Sequence, residues 1–262
     1  MEALSPHERL ILDLDFADMD FAITLIKKFS WYINSTMINS ATIYSKVSGV
    51  LSSSREDLYQ RLSEVWNLKK VIGQKLFLDL KLNGCPSDVE KLAKDISRLN
   101  PKMFSVSALA GKESIRKAVA NRGKSRVFGS LETCLDRNEY FSLFGTSSDA
   151  ISLRCARMLV DAGADGIMCS CQDACVIRQH DQFSELLIAC PATIASKPEG
   201  PGINPRELIG MGIDFLIVGK PIITDPAEIM GLEECFQIIT KEIALGLNDR
   251  KYFREKQHVT QG

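Results

Sequence analysis

The sequence predicts an α/β protein that forms one (β/α)8 TIM barrel, and three observations support this prediction. Short apolar runs alternate along the chain with longer segments of helical periodicity, which is typical of parallel strands joined by helices. The length of 262 residues suits one barrel. No stretch rich in Pro, Gly or Ser is long enough to separate two domains, so residues 1–262 are expected to form one domain with a polar tail from about residue 252. A doubly wound open sheet is the structural alternative.

Eight apolar runs, rich in Leu or in β-branched residues, are predicted to be the strands. We expect them to be buried, because helices cover a parallel sheet. The predicted strands are Leu10–Leu14, Ala41–Val47, Lys75–Lys81, Met103–Ser107, Arg126–Ser130, Gly166–Cys169, Leu186–Cys190 and Phe215–Val218.

Helical segments are predicted between these strands. Asp18 is placed to open the first helix, and Pro86 suits the first turn of a later one, where proline is tolerated. Two turns that lead into strands match each other: Ala-Gly-Ala-Asp, which ends at Asp165, and Met-Gly-Ile-Asp, which ends at Asp214. The other predicted helices are 55–68, Gly111–Ala120, Ser148–Ala162, Gln172–Gln179, Pro205–Met211 and Pro226–Leu245.

The composition is that of an ordinary globular protein, with 45% hydrophobic residues and 32 Lys and Arg residues against 33 Asp and Glu residues. A formal net charge of -1 provides no long-range field for phosphate backbones or anionic lipids, so no nucleic-acid or membrane partner is expected. No apolar run approaches the ~20 residues that span a bilayer. The opening MEALSPHERL does not resemble a signal peptide, so a cytoplasmic protein is expected.

The eight cysteines are expected to be free thiols in a reducing compartment. Cys169, Cys171 and Cys175 are close in the sequence, but paired C-x-x-C spacing is absent and all three histidines are distant. No metal site is therefore expected.

Polar residues at the ends of the predicted strands are the first candidates for a functional site, because a barrel of this kind carries its site at the carboxyl ends of the strands. Asp79 and Lys81 are two residues apart on a strand, so both are expected to project to the same side. Lys46, near the end of the predicted second strand, is placed to join them. Such a Lys-Asp-Lys array could bind an anion and deliver a proton. A purely structural ion pair is the alternative.

A second candidate site lies near the carboxyl end of the chain. Gly-Pro-Gly ends at Gly202, and the apolar run FLIV is followed by Gly219 and Lys220. Glycines let backbone N–H groups approach a ligand, and the seventh and eighth loops of such barrels often bind phosphate. An ordinary turn with a solvated lysine is the alternative.

Several segments resemble the orotidine 5'-phosphate decarboxylase family. FLDLKLNGCPSDV is similar to the central Asp-x-Lys-x-x-Asp signature, and LDLDFAD and IYSKV are similar to the motifs of the first and second strands. The resemblance implies that Lys81 protonates the carbanion and that Asp79 faces the substrate carboxylate. It also implies that Lys46 orients Asp79 and that Asp15 contacts the ribose.

The resemblance extends to the second half of the chain. IDFLIVGKPI is similar to the eighth-strand phosphate motif, which implies a phosphate site at Gly219 and Lys220, with Gly202 in the preceding loop. Thr133 aligns with the hydroxyl that contacts the pyrimidine in this family.

The sequence departs from the family pattern at several of these site positions. Gly84 stands where the second signature aspartate belongs, which in the family reaches into the partner subunit's site. We expect Asp88 to supply the missing charge from the partner subunit. Lys220 replaces an arginine, which keeps the charge and loses the bidentate fork. Ser107 replaces a histidine, and the seventh-strand loop lacks an expected glutamine.

Three functions are compatible with these residues. The first is a homodimeric carbon–carbon lyase that converts orotidine 5'-phosphate to uridine 5'-phosphate and CO2 in pyrimidine biosynthesis, with no cofactor or metal. The second is a non-catalytic paralogue that binds a nucleotide or phosphate ligand, which Gly84 favours. The third is a sugar-phosphate decarboxylase of the same suprafamily, commonly magnesium-dependent. Gly84 counts against that third function and Thr133 favours a pyrimidine ligand.

Overall fold

The computed structural model describes residues 4–14, 19–40, 67, 69–131, 137–192, 204–219 and 229–260. Eight parallel strands follow one another around a closed barrel in sequence order, which confirms the predicted (β/α)8 TIM barrel. The strands are β1 (Leu10–Asp13), β2 (Ser35–Asn39), β3 (Leu76–Leu82), β4 (Met103–Ser107), β5 (Arg126–Ser130), β6 (Gly166–Met168), β7 (Leu187–Pro191) and β8 (Phe215–Val218).

The second strand differs from the prediction. Ser35–Asn39 pairs with β1 through Ile11 and Ser35 and with β3 through Asn39 and Asp79, so Ala41–Val47 is wrong as the second strand. Residues 41–47 lie outside the described residues. The polar pair Ser35 and Thr36 hid the strand in the sequence, although both residues are fully buried. Local hydrophobicity cannot show that polar side chains are buried between strands and helices.

The structure gives the bounds of eight helices, together with three short 3-10 turns at Pro6–Arg9, Gly73–Lys75 and Asp181–Phe183, and residues 69–72 are also helical. The helix Arg137–Phe144 was not predicted, and the helix Ile229–Thr260 extends past Leu245 through most of the predicted polar tail. Asp18 and most of the predicted helix 55–68 lie outside the described residues. The helices are α1 (Met19–Phe29), α2 (Pro86–Leu99), α3 (Lys112–Ala120), α4 (Arg137–Phe144), α5 (Ser148–Ala162), α6 (Cys171–Arg178), α7 (Pro205–Gly210) and α8 (Ile229–Thr260). None of the helices in the described part of the chain is long and apolar enough to cross a membrane.

Apolar side chains fill the lumen of the barrel. Every strand contributes to this interior cluster, and the intervening residues of each strand pack outward against the helices. Three phenylalanines form its centre, with ring centroids 6.0 Å apart for Phe77 and Phe128 and 6.1 Å apart for Phe128 and Phe215. The interior is therefore a packed core with no pore through it.

The two matching turns have the same structural role at the amino ends of the strands. Asp165 Oδ2 accepts hydrogen bonds from Val127 N at 2.8 Å and from the Arg122 guanidinium at 2.5 Å. Asp214 Oδ2 accepts from Ile188 N at 3.0 Å and from the Arg178 guanidinium at 2.7 Å. Each carboxylate thus ties the start of its own strand to the neighbouring strand and to an arginine.

Candidate active site

A polar layer closes the apolar lumen at the carboxyl ends of the strands. Asp13, Asn39, Asp79 and Ser130 each lie two residues beyond a lumen-facing residue of their strand, so strand alternation places them on the same inner face. Ser130 is buried, and its hydroxyl has no hydrogen-bond partner among the residues that the structure describes. These polar groups lie where barrels of this kind carry their active sites.

Gly219 follows β8 at this mouth and lies against Asp13. A Cβ built on Gly219 would lie 3.0 Å from Asp13 Cβ and 3.3 Å from Asp13 Oδ2. A side chain at position 219 would require Asp13 to shift slightly, so glycine suits this close approach.

Asp79 and Lys81 converge, as the sequence predicted. The Asp79 side chain is only 3% exposed, and its Oδ2 lies 3.7 Å from Lys81 Nζ. The Lys81 side chain is 40% exposed, so its ammonium faces the open end of the barrel. A buried carboxylate and a partly exposed ammonium together form a site that can hold a charged ligand next to a proton donor.

The pair is assembled by a bulge in β3. Leu78 pairs with Phe104 and Leu82 with Val106, so four steps along β3 match two steps along β4. Within the bulge Lys81 adopts a left-handed backbone conformation with φ 48°, which is costly for a residue with a side chain. Simple alternation along a strand therefore does not explain why the two side chains meet.

Ser105 on β4 holds the bulge and the carboxylate together. Its hydroxyl donates to Asp79 Oδ1 at 2.5 Å and accepts from Lys81 N at 2.8 Å. Ser105 is fully buried, so both bonds form away from solvent. Ser105 was not among the predicted site residues, although its position two residues after Met103 on a predicted strand indicates an inward-facing side chain.

Gly84 and Asp88 lie where β3 leads into α2. Gly84 has φ +153°, a conformation that residues with side chains rarely adopt. A Cβ built there would lie 3.7 Å from Asp88 Cβ and 3.9 Å from Asp88 Oδ2. Asp88 Oδ2 also accepts a hydrogen bond from Cys85 Sγ at 3.0 Å. The carboxylate of Asp88 therefore occupies the space next to position 84.

Several predicted site residues lie outside the described residues, and their contacts stay predictions. They are Asp15, Lys46, Thr133, Gly202 and Lys220. The prediction placed Lys46 near the end of a second strand Ala41–Val47, whereas β2 is Ser35–Asn39, so the strand assignment behind that placement is wrong. Within the described ranges no group of three or more His, Cys, Asp and Glu residues is suited to hold a metal ion.

Comparisons with known proteins match most of the chain. A sequence model of the orotidine 5'-phosphate decarboxylase / HUMPS family matches residues 8–229. An orotidine 5'-phosphate decarboxylase of Nitrosococcus oceani is 28% identical over 235 residues, which cover 86% of this chain and 94% of the relative. One of Streptococcus pneumoniae is 27% identical over 223 residues, which cover 82% and 90%.

Among solved structures, an orotidine 5'-phosphate decarboxylase of Pyrococcus horikoshii is similar in fold. Its TM-score is 0.65 at 17% identity, with 90% of this chain and 99% of that chain covered. An uncharacterized conserved protein of Geobacillus kaustophilus has a TM-score of 0.64 at 18% identity, with 87% and 99% covered.

Proposed function

We propose that this chain, which belongs to the orotidine 5'-phosphate decarboxylase / HUMPS family, converts orotidine 5'-phosphate to uridine 5'-phosphate and CO2, a step of pyrimidine biosynthesis. The observation that carries this proposal is the buried Asp79 carboxylate, held 3.7 Å from the Lys81 ammonium at the mouth of the barrel. The pair occupies the family's Asp-x-Lys signature and provides both a negative charge and a proton donor.

The proposed reaction breaks the bond between the pyrimidine ring and its carboxylate. The electron pair of that bond stays on the ring carbon as CO2 leaves, and Lys81 donates a proton to that carbon. Asp79 faces the substrate carboxylate, and Lys46 orients Asp79. The substrate carboxylate, packed next to a buried aspartate, is less favourable there than the neutral CO2 that replaces it.

The remaining contacts to the nucleotide are proposed from the family pattern. Asp15 contacts the ribose and Thr133 contacts the pyrimidine. Gly202, Gly219 and Lys220 bind the phosphate. Gly219 directly follows β8 at the mouth, and its lack of a side chain lets a ligand approach its backbone N–H.

Ultraviolet absorbance of orotidine 5'-phosphate with the purified chain, with and without a chelator, tests the proposal. Uridine 5'-phosphate binding is measured in parallel by calorimetry. We expect turnover that the chelator does not change. Binding without turnover would instead identify a nucleotide-binding paralogue, and loss of turnover with the chelator would indicate a metal-dependent reaction.

Asp88 is proposed to replace the charge missing at Gly84, acting in the site of the partner subunit of a homodimer. Its carboxylate lies within 3.9 Å of the position that a Cβ on Gly84 would occupy. This proximity supports the proposal that Asp88 takes the place of the signature aspartate that the family carries at position 84. We therefore expect Asp88→Asn to lower kcat by about 10²-fold, the usual cost of removing one preorganised polar group. Steady-state kinetics on orotidine 5'-phosphate measures this loss.

Asp95→Asn is the matched control, because Asp95 lies on the same helix and pairs at the surface with Arg98 at 2.9 Å. Mixing Asp88→Asn with an inactive Lys81→Met subunit separates the two routes by which Asp88 could act. If Asp88 acts across the interface, mixed dimers contain one complete site and regain activity. Unchanged turnover of Asp88→Asn alone would end the compensation hypothesis.

Ser105 is proposed as a positioning residue for the same pair. Ser105→Ala removes both the bond to Asp79 and the acceptor for Lys81 N, so we expect kcat to fall by about 10²-fold with a smaller change in KM. Ser105→Thr keeps the hydroxyl and should recover most of the rate. The control is Ser125→Ala, which removes a buried bond of 2.6 Å to Pro101 O. Equal kinetic effects of the two alanine variants would contradict a positioning role.

A further inference from the structure

Four cysteines lie close together where β6, β7 and α6 meet, outside the lumen. Cys169 N–H donates to Ala189 O at 3.2 Å, which continues the β6–β7 register and makes Cys169 and Cys190 neighbours across the two strands. Cys171 is the first residue of α6, and Cys175 lies one turn later on the same helix. All four are free thiols. The proposed decarboxylation uses none of them.

Cys171 and Cys190 face each other across this junction. Cys171 Sγ lies 3.4 Å from Pro191 O, and Cys190 Sγ lies 3.8 Å from Ser170 O. Each sulfur thus contacts the carbonyl of the residue next to the other cysteine. The two thiols are also within hydrogen-bond reach of each other, which places both sulfurs at the same junction.

The thiols of Cys171 and Cys190 differ in pKa and in exposure to solvent. A hydrogen bond from the Cys190 thiol lowers the pKa of Cys171, although partial burial opposes this effect. Hydrogen bonds to Cys169 and Cys171, together with burial, raise the pKa of Cys190. Cys171 is partly exposed, whereas Cys190 is fully buried. The accessible thiol is therefore the better nucleophile, and the buried one remains protonated beside it.

We propose that Cys171 and Cys190 form an oxidation site for hydroperoxides, in which Cys171 reacts first and Cys190 closes a disulfide. The Cys171 thiolate attacks the peroxide and the O–O bond breaks, which leaves a sulfenic acid at Cys171. The departing alkoxide, or hydroxide from hydrogen peroxide, takes up a proton from solvent and leaves as alcohol or water. Cys190 sulfur then displaces the sulfenic hydroxyl, which leaves as water with the Cys190 proton. The peroxide is reduced by two electrons and the two thiols are oxidised to one disulfide.

Mass spectrometry of the full chain tests this site without any assay of turnover, so the result does not depend on the proposed decarboxylation. The reduced protein is treated with hydrogen peroxide, digested without reductant and mapped. We expect a peptide pair that joins Cys171 to Cys190, lost again after dithiothreitol. A bond from Cys190 to Cys169, a bond from Cys171 to Cys175, or no intramolecular disulfide would overturn the assignment.

Two serine variants separate the roles of the thiols. Cys190→Ser should leave a sulfenic acid at Cys171 that dimedone traps, and Cys171→Ser should leave Cys190 unoxidised. Cys155→Ser is the control, because burial raises the pKa of Cys155 to about 11 and its loss should not affect the disulfide. Iodoacetamide labelling of the unaltered native protein provides a measurement that needs no variant. Cys171 should be alkylated before Cys175 and Cys190, and the opposite order would contradict its role as nucleophile.

Discussion

Lys81→Met is expected to lower kcat for orotidine 5'-phosphate by about 10² to 10⁴-fold, the usual contribution of a positioned proton donor. Methionine is similar in length to lysine and lacks both the charge and the proton. The Lys81 side chain is 40% exposed, so the methionine is not forced into the core, and the buried Asp79 carboxylate loses the ammonium beside it. Asp79 keeps its bond from Ser105, which should preserve the local fold. Steady-state kinetics, with circular dichroism to check folding, measures the effect.

Lys81→Arg distinguishes the charge of Lys81 from its proton. A guanidinium is not deprotonated in proteins, so arginine can balance Asp79 but cannot act as the acid. We expect a KM closer to that of the unaltered protein and a kcat as low as that of Lys81→Met. If Lys81→Arg retained full turnover, proton donation by this side chain would be excluded.

Lys117→Met is the matched control for both variants. Lys117 is 39% exposed, and its Nζ lies 2.9 Å from Glu90, so it is also a half-exposed lysine beside a carboxylate. It lies on α3, outside the barrel lumen. Turnover should be unchanged, and a comparable loss would mean that removal of any such ion pair, and not the chemistry of Lys81, reduces activity.

Asp214→Asn is expected to lower the free energy of unfolding by about 3 to 5 kcal/mol, the usual cost of removing one partner from a buried ion pair. The carboxylate of Asp214 is 12% exposed and lies 2.7 Å from Arg178, and two further arginines approach it, Arg250 at 3.4 Å and Arg9 at 3.8 Å. The side chains of Arg9 and Arg178 are 8% and 10% exposed, and this burial lowers the pKa of both guanidinium groups. Without the carboxylate these guanidinium groups repel one another in a buried site.

Urea unfolding followed by circular dichroism measures this loss. An unchanged m-value would show that the variant and the unaltered protein expose the same amount of surface on unfolding. Asp165→Asn is the control. The Asp165 carboxylate accepts an equivalent hydrogen bond from a backbone N–H of the neighbouring strand. Its side chain is more exposed, at 24%, and it forms an ion pair with Arg122. We expect a smaller loss there. Equal losses would show that the backbone bond, common to both turns, matters more than the three arginines. Folded Asp214→Asn should keep its turnover, because this turn lies at the opposite end of the barrel from Asp79.

Three of the eight strands could be predicted to the residue. Met103–Ser107, Arg126–Ser130 and Phe215–Val218 were predicted with the bounds that the structure has. Ser35–Asn39 was missed because its sequence contains two polar residues, Ser35 and Thr36. They are completely buried only because β2 pairs with β1 and β3 in the folded barrel. Periodicity reports the average environment of a segment and cannot report this burial.

The sequence by itself determined the alternation of strands and helices, hence the barrel, and the Asp-x-Lys spacing that brings Asp79 and Lys81 to one strand end. Only the tertiary structure decided how that pair is held. A bulge in β3 turns Lys81 into a left-handed conformation, and Ser105, 26 residues from Asp79 in the chain, bonds to both residues of the pair. The tertiary structure alone also brings the arginines together around Asp214 and places the thiols of Cys171 and Cys190 at one junction. Local sequence sets backbone preference and the pattern of burial, whereas contacts between distant segments form only when the strands close into a ring.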